Sequence, residues 1–360
     1  MLLTIITASL VVIYIVLIII EKLMINKYRK SFKYVIHVNG IRGKSTTTRL
    51  IDAGLRACGF KVFSKTTGTF PTILNTNNEV VHIKRLGPAN IREQIKMMRK
   101  AYLEHADVLV LECMAVNPEL QYICEHQILN SDITLITNVR PDHLGDMGNT
   151  LEELAMALAK TIPSKGHLII GDEKYLNIYK EASRNYDTKI HVAEEYKLDD
   201  DMDTFKDNIA MALEVSKVLE LDNKTFFEGM KNYKHDEGAY KEIKHNDTIF
   251  MNALSVNDPE SIKIVYDKAT KDIDKDELTV LLCTREDRFT RTKQYEELIS
   301  YFKCKKIYVS EISSYLYFKR KKIEVEYLKK NEDLNSKYVF ATGNIIGRGA
   351  KILKYFEESI

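Results

Sequence analysis

The stretch Val38 to Thr48, VNGIRGKSTTT, constrains this chain more than any other. It follows a short β-branched run, Tyr34 to Val38, and leads into TTTRLIDAGLRAC, which reads as a helix closed by Gly59. A strand that turns through glycines into a helix aims backbone N–H groups and the positive end of the helix dipole at one point, as a phosphate-binding loop does. Lys44 adds a mobile point charge for β and γ phosphates, and the Ser45 hydroxyl is placed to ligate Mg²⁺. The general phosphate-loop pattern places a glycine where this chain has Val38, so the match is the shorter GxxGKS form. The alternative reading of the same residues is a glycine-rich turn with an exposed lysine.

Further apolar runs occur at Asp107 to Glu112, Asp132 to Val139 and His167 to Ile170, with amphipathic helical stretches near 90–104, 118–127 and 150–161. Strands that read as continuous apolar runs are expected where helices cover both faces of a mostly parallel sheet. The expected fold class is therefore α/β, with an N-terminal transmembrane helix, a central phosphate-loop domain on a mostly parallel sheet, and a smaller Rossmann-like C-terminal α/β domain. The second unit begins near Thr248 and takes in Leu278 to Cys283, Lys306 to Val309 and Tyr338 to Ala341 as strands. The expected divisions are 1–21 as an anchor, 22–33 as a basic linker, 34–243 as the central domain and 244–360 as the C-terminal domain. The charged stretch 172–206 is expected to hold a helix and a short strand.

The first twenty residues carry no charge, and as a helix they would extend about 30 Å, the thickness of a bilayer's hydrocarbon core. Lys22, Lys27, Arg29, Lys30 and Lys33 follow that run instead of preceding it, unlike a secretory signal. The positive-inside rule then predicts a single-pass membrane protein with its N-terminus outside and residues from about 22 onward in the cytoplasm; a buried core helix is the alternative. Lys and Arg total 53 against 51 Asp and Glu, a balance that argues against a protein that coats nucleic acid. The five cysteines form no CxxC pair, which fits a reducing compartment and small buried hydrophobes.

Glu112 ends the run LVLE, where a parallel strand delivers its side chain to the crevice beyond the sheet's carboxyl edge. It is a candidate metal ligand; a salt-bridged rim glutamate is the alternative. The next run ends at Asn138 and passes into RPDHLGDMGN, placing Asp142 and His143 at the same edge. His143 is a candidate for a second Mg²⁺ or for a transition-state hydrogen bond; a loop histidine is the alternative.

Gly40, Gly43 and KSTTTRL, with TTGT (Thr66 to Thr69), LGPANIREQ (Leu86 to Gln94), LECMAVNPE (Leu111 to Glu119), NVRPDHLGDMG (Asn138 to Gly148) and NIAMALEV (Asn208 to Val215), resemble the Mur ligase superfamily. Within it the likeness is to the ligase subunits of membrane-linked poly-γ-glutamate synthases and covers nearly the whole chain. The resemblance implies an ATP-dependent amide ligase that joins glutamate through its side-chain carboxylate. By similarity Asn39, Gly40, Arg42, Gly43, Lys44, Ser45 and Thr46 hold the ATP phosphates, Ser45 and Glu112 the first Mg²⁺, and His143 the second. Asn208 stands where relatives contact adenine, and an asparagine at a helix start is equally a cap. Lys241 in GAYK replaces an arginine common in relatives, and lacks that residue's planar fork. Asn252 and Ser255 stand where a carboxylate and a histidine are common, with Asp258 as a substitute charge.

Arg285, Asp287 and Arg288 follow a strand of the last domain and are candidates for gripping acidic substrate, against the alternative of a solvated charge run. A similar turn, Ala341 to Gly349, is a candidate to close over substrate or nucleotide. The family often bridges its metals with a carbamylated lysine, and no segment here identifies one. The implied partners are glutamate, the growing polymer and small membrane subunits of the synthase complex, with self-association left open and no nucleic acid. The competing readings are a membrane-tethered NTPase that drives export, and a Mur or folylpolyglutamate-type ligase with another substrate.

Overall fold

The computed structural model describes residues 1–68, 71–85, 87–141, 145–194, 206–236, 240–286 and 289–358. Two compact units divide the chain, Met1–His235 and Asp236–Ile360.

The first unit opens with α1 (Leu2–Ser31), β1 (Tyr34–Asn39), α2 (Lys44–Ala57), β2 (Val62–Thr66), β3 (Thr72–Leu74), β4 (Val80–His82), α3 (Arg92–Leu103) and β5 (Val108–Glu112). It continues with α4 (Pro118–Ile123), a π-helical turn at Cys124–Leu129, β6 (Ile133–Ile136), α5 (Leu151–Leu158), β7 (His167–Ile170), α6 (Leu176–Ser183), β8 (Lys189–Val192), α7 (Lys206–Val218) and α8 (Asn223–Met230). Its sheet runs β4-β3-β2-β5-β1-β6-β7-β8. The strands from β2 to β8 in that order pair in parallel, and β3 and β4 add an antiparallel edge.

Successive residues of the central strands point to opposite faces, and both faces are covered. Ile36, Val38, Val108 and Val110 pack with Leu50, Ile51 and Leu55 of α2 and with α7 and α8. Val35, Leu109, Leu111 and Phe63 pack on the other side with Met97, Met98 and Ala101 of α3. Each such buried aliphatic side chain contributes about 1.5–3 kcal/mol, so the sheet's centre, where β1 lies, is the rigid part of the unit.

Residues 22–31 do not form a separate linker but continue α1 as one helix. Ile25, Tyr28 and Phe32 join the α3 face of the core. Arg29 Nη2 meets Asp132 Oδ1 at 2.7 Å, while Asp132 Oδ2 accepts from Val35 N at 2.7 Å. Glu21 pairs with Arg92 at the start of α3.

The second unit contains β9 (Lys241–His245), β10 (Thr248–Ala253), α9 (Pro259–Ala269), β11 (Leu278–Leu282), α10 (Phe289–Tyr301), β12 (Lys306–Val309), α11 (Ile312–Arg320), β13 (Glu326–Tyr327), β14 (Tyr338–Thr342) and α12 (Arg348–Glu357). Its sheet runs β13-β12-β11-β14-β10-β9, parallel except for the β9–β10 hairpin. Asn246 in the hairpin turn has φ 51°, a conformation asparagine tolerates. A division after residue 243 would cut β9, whereas the two units separate between His235 and Asp236. The protein is thus an α/β molecule with a large sheet domain and a smaller C-terminal α/β domain. All five cysteines are free, and burial pushes the Cys283 thiol up to about 12.

Candidate active site

β1 lies between β5 and β6, so the loop that follows it opens where three parallel strands end together. Gly40 sits at φ 123° and Gly43 at φ 81°. A Cβ on Gly40 would stand 2.1 Å from Thr137 Oγ1 and 2.7 Å from Thr137 N, and one on Gly43 would stand 2.4 Å from Asn208 Oδ1. Glycine is therefore required at both places for conformation and for space.

The neighbouring side chains hold this loop from behind. Asn39 Nδ2 donates to Gln121 Oε1 at 2.8 Å and to Thr161 Oγ1 at 3.1 Å, and Asn39 Oδ1 accepts from Gly40 N at 2.8 Å. After β6, Thr137 Oγ1 and Asn138 Nδ2 donate to Arg42 O at 2.6 and 3.1 Å, while Arg42 N donates to Asn138 Oδ1 at 3.0 Å. Asn208 is buried on α7 and accepts from Thr47 Oγ1 at 3.3 Å. The structure therefore sets Asn208 against the end of the loop.

Lys44 Nζ bends back over the loop and donates to Gly40 O at 2.7 Å and to Ile41 O at 3.3 Å. Thr46 beside it is half-buried. Ser45 Oγ donates to Glu112 Oε2 at 2.8 Å. Glu112 is 3% exposed and also accepts from Thr67 N at 2.7 Å and Thr67 Oγ1 at 2.6 Å. A hydroxyl and a carboxylate on the ends of neighbouring elements are the hard oxygen donors that Mg²⁺ prefers, so these residues fit the ion. Among the described residues no group of three or more His, Cys, Asp or Glu is arranged for a metal.

His143 and Asp142 lie outside the described residues, as do Asp287, Arg288, Thr69 and Leu86. Lys241 and Arg285 belong to the second unit. Lys241, at the start of β9, forms an ion pair with Glu357 of α12, and Arg285 is half-buried after β11. Asp258 caps α9, its Oδ1 accepting from Ser261 N at 3.0 Å. At the carboxyl ends of β10 and β11, Asn252 Nδ2, Ser255 Oγ, Asn257 Oδ1 and Thr284 Oγ1 are buried without a hydrogen-bond partner among the described residues.

Sequence reasoning missed the residues around Glu112. Thr67 and Gln94 lie inside the quoted segments TTGT and LGPANIREQ but received no role there. Lys65 Nζ is fully buried and meets Glu93 Oε1 at 2.8 Å and Gln94 Oε1 at 3.1 Å. Burial draws the Lys65 pKa down despite the nearby Glu93 and Glu112. Burial acts to raise Glu93, but the hydrogen bonds and charges of Arg85 and Lys65 outweigh it and bring its carboxyl to about 2. The available signal was a lysine ending the short stretch VFSK directly before TTGT.

Comparison with known proteins places the chain in a family. The Mur ligase middle domain matches residues 38–228, and the poly-gamma-glutamate synthase CapB C-terminal domain matches residues 238–359. The chain is 31% identical to the PGA synthase CapB of Bacillus subtilis (strain 168), with 94% of each protein covered. It is 33% identical to the capsule biosynthesis protein CapB of Bacillus anthracis over 77% of this chain and 63% of that protein. A bifunctional folylpolyglutamate synthase/dihydrofolate synthase from Yersinia pestis, solved with AMPPNP and Mn, superposes with a TM-score of 0.67. That alignment covers 93% of this chain and 92% of the other at 14% identity, a likeness of fold alone.

Fold, phosphate loop and family match together define a Mur-type ligase. The chain belongs to the CapB-like poly-γ-glutamate synthase subunits of the Mur ligase superfamily. It is an ATP-dependent acid–amino-acid ligase that joins glutamate residues and uses ATP with Mg²⁺.

This membership corrects the expected location. CapB-type enzymes are cytoplasmic components of the synthase complex, and one N-terminal apolar helix does not establish a membrane-anchored, single-pass topology. The length and hydropathy of α1 would suit a span, but a signal sequence and a core helix pass the same test. Its last turns, moreover, are built into the core of the first unit.

Proposed function

We propose that the chain forms γ-linked amide bonds between glutamates through an acyl phosphate, with the nucleotide seated on the loop from Gly40 to Gly43. The observation that carries this reading is the Ser45–Glu112 pair, 2.8 Å apart at the mouth of that loop.

A carboxylate does not react with an amine at neutral pH, because the leaving group would be oxide. In the proposed reaction a glutamate γ-carboxylate oxygen attacks the γ-phosphorus of ATP, the bond to the β–γ bridging oxygen breaks, and ADP leaves. The amine of another glutamate then attacks the acyl carbon, phosphate departs with the bonding electrons, and the amine loses a proton. Loop N–H groups and the start of α2 bind the phosphates. Lys44 exchanges the Gly40 and Ile41 carbonyls for phosphate oxygens, stabilising the charge that develops there. Ser45 and Glu112 would hold Mg²⁺, with His143 proposed for a second ion, and the metal would supply neutralisation of phosphoryl charge.

Arg42 and Thr46 complete the nucleotide cradle, Asn39 supports it from behind through Gln121, Thr161 and Gly40 N, and Asn208 is assigned to the adenine side. Arg285 is assigned to acidic substrate, a role supported by the unpartnered polar atoms at the same sheet edge, and Lys241 to a phosphate as a single point charge. Small membrane subunits of the synthase complex are the proposed partners, supported by the likeness to CapB proteins.

The test is ADP release and γ-linked product on adding Mg²⁺-ATP with each enantiomer of glutamate, with and without those subunits. Glutamate-dependent ADP release matched by isopeptide product is expected, and Lys44→Ala should abolish both while leaving the fold intact. Equal activity in that variant, or turnover indifferent to glutamate, would sink the reading.

A further inference from the structure

Lys65 is ion-paired with Glu93 on an interior strand of the sheet and has no exposed surface. An ion removed from water costs several kcal/mol unless its partners are well placed, so its surroundings show what it is held for. On one side is Glu93, which Arg85 grips through Nε at 2.7 Å and Nη2 at 2.9 Å. On the other is the Gln94 amide, whose oxygen accepts from Lys65 Nζ at 3.1 Å. Met114 Sδ lies 3.4 Å from the same nitrogen.

The amide of Gln94 has two ends, and Lys65 decides which faces where. Because an ammonium only donates, Gln94 must turn its oxygen to Lys65 and its NH₂ group away. That NH₂ donates to the backbone carbonyl of Glu112 at 3.0 Å. This carbonyl lies just beyond the β2–β5 ladder, whose last pair is Lys65 with Leu111. On its other side Glu112 is still paired with Val38 of β1, so Gln94 holds the Glu112 carbonyl on the β2 side, where that ladder has ended. The Glu112 carboxylate, held by Thr67 and Ser45, is aimed from that backbone.

We propose that Lys65 is a positioning residue for the metal site, acting through the Gln94 amide to fix Glu112 in the orientation that ligates the divalent ion. The inference rests on the assignment of Glu112 as a ligand. Lys65 touches neither nucleotide nor metal in this scheme. Its loss changes how well Glu112 is oriented and leaves the phosphate loop intact.

The experiment uses the full chain with Mn²⁺ as the probe, reading Mn²⁺ affinity in the presence of ADP, ADP affinity without divalent ion, and the thermal midpoint. Groups that orient metal ligands typically change affinity about 10–100-fold. Lys65→Met should weaken Mn²⁺ binding about 10-fold, leave metal-free ADP binding unchanged, and let excess Mg²⁺ restore glutamate-dependent turnover. Arg85 still pairs Glu93 in that variant. Gln94→Leu should reproduce the loss without disturbing the Lys65–Glu93 pair, and so serves if Lys65→Met does not fold. In the double variant the two losses should not add, because they break one relay.

Unchanged Mn²⁺ affinity in folded Lys65→Met or Gln94→Leu overturns the proposal, as do fully additive losses. Glu112→Gln separates the two levels. If it leaves Mn²⁺ affinity unchanged, the ligand assignment itself fails; if it weakens Mn²⁺ while Lys65→Met and Gln94→Leu do not, only the positioning role fails.

Discussion

Replacing Asn39 by alanine tests whether this side chain is a structural support of the phosphate loop. Asn39 is 3% exposed and makes three hydrogen bonds, to Gln121, Thr161 and the N–H of Gly40. In Asn39→Ala, Thr161 keeps its bond to Leu158 O at 2.9 Å and Gln121 keeps its Nε2 bond to Val116 O at 3.0 Å. The groups left bare are Gln121 Oε1 and the Gly40 N–H. Each lost bond removes about 1 kcal/mol net, and each buried group left without a partner costs about 1–3 kcal/mol. Allowing for overlap between these terms, the expected loss is roughly 3–5 kcal/mol, among the larger single-site effects. Asn39→Asp should cost nearly as much, because its second oxygen would face Gln121 Oε1. The assay is urea unfolding without nucleotide, followed by circular dichroism. A loss below about 1 kcal/mol, a typical single hydrogen bond, with ADP binding impaired, would show that Asn39 serves the nucleotide directly and that the support argument is wrong.

Gly43→Ala should lower the thermal midpoint and weaken ADP binding, since its Cβ would stand 2.4 Å from Asn208 Oδ1 at a backbone φ of 81°. Adding Asn208→Ala should relieve the clash but leave the left-handed strain of about 1–2 kcal/mol; complete recovery of the midpoint would contradict this. Glu93 has its carboxyl lowered from 4.5 to about 2, so it contributes stability that is complete above the unfolded value and is lost as pH falls through the folded one. The stability gap between the wild type and Glu93→Gln should therefore narrow from pH 4.5 to about 2. A gap that stays constant over that window in urea unfolding would refute the assignment.

Much of the fold could be read directly because its signals are local. The expected strands at 107–112, 132–139 and 167–170 correspond to β5, β6 and β7, and the stretch 172–206 holds α6 and β8 as expected. The three-residue strands β3 and β4 were not anticipated. Segments that short have no periodicity to detect, and their hydrogen bonds to β2 and to each other make them strands. The end of α1 was read as a linker because its lysines dominate the composition. Ile25, Tyr28 and Phe32 are spaced along one side of the helix and find their partner only when α3 is packed beside them.

The candidate site divides in the same way. The turn from β1 through Gly40 and Gly43 to Lys44 and Ser45 is contiguous, so the sequence by itself determined this strand, glycine turn and helix, whereas the left-handed conformations of the two glycines came from the structure. The family likeness brought ATP, Mg²⁺ and glutamate with it. Only the tertiary structure decided that Glu112 meets Ser45, that Asn39 faces Gln121 and Thr161, and that the buried Lys65 orients Gln94 toward Glu112. These pairs are brought together by the strand order and by α3 packing on the sheet. A linear pattern records which residues can bond, whereas the choice of partner follows from which strands become neighbours and from the need of each buried polar group to find one.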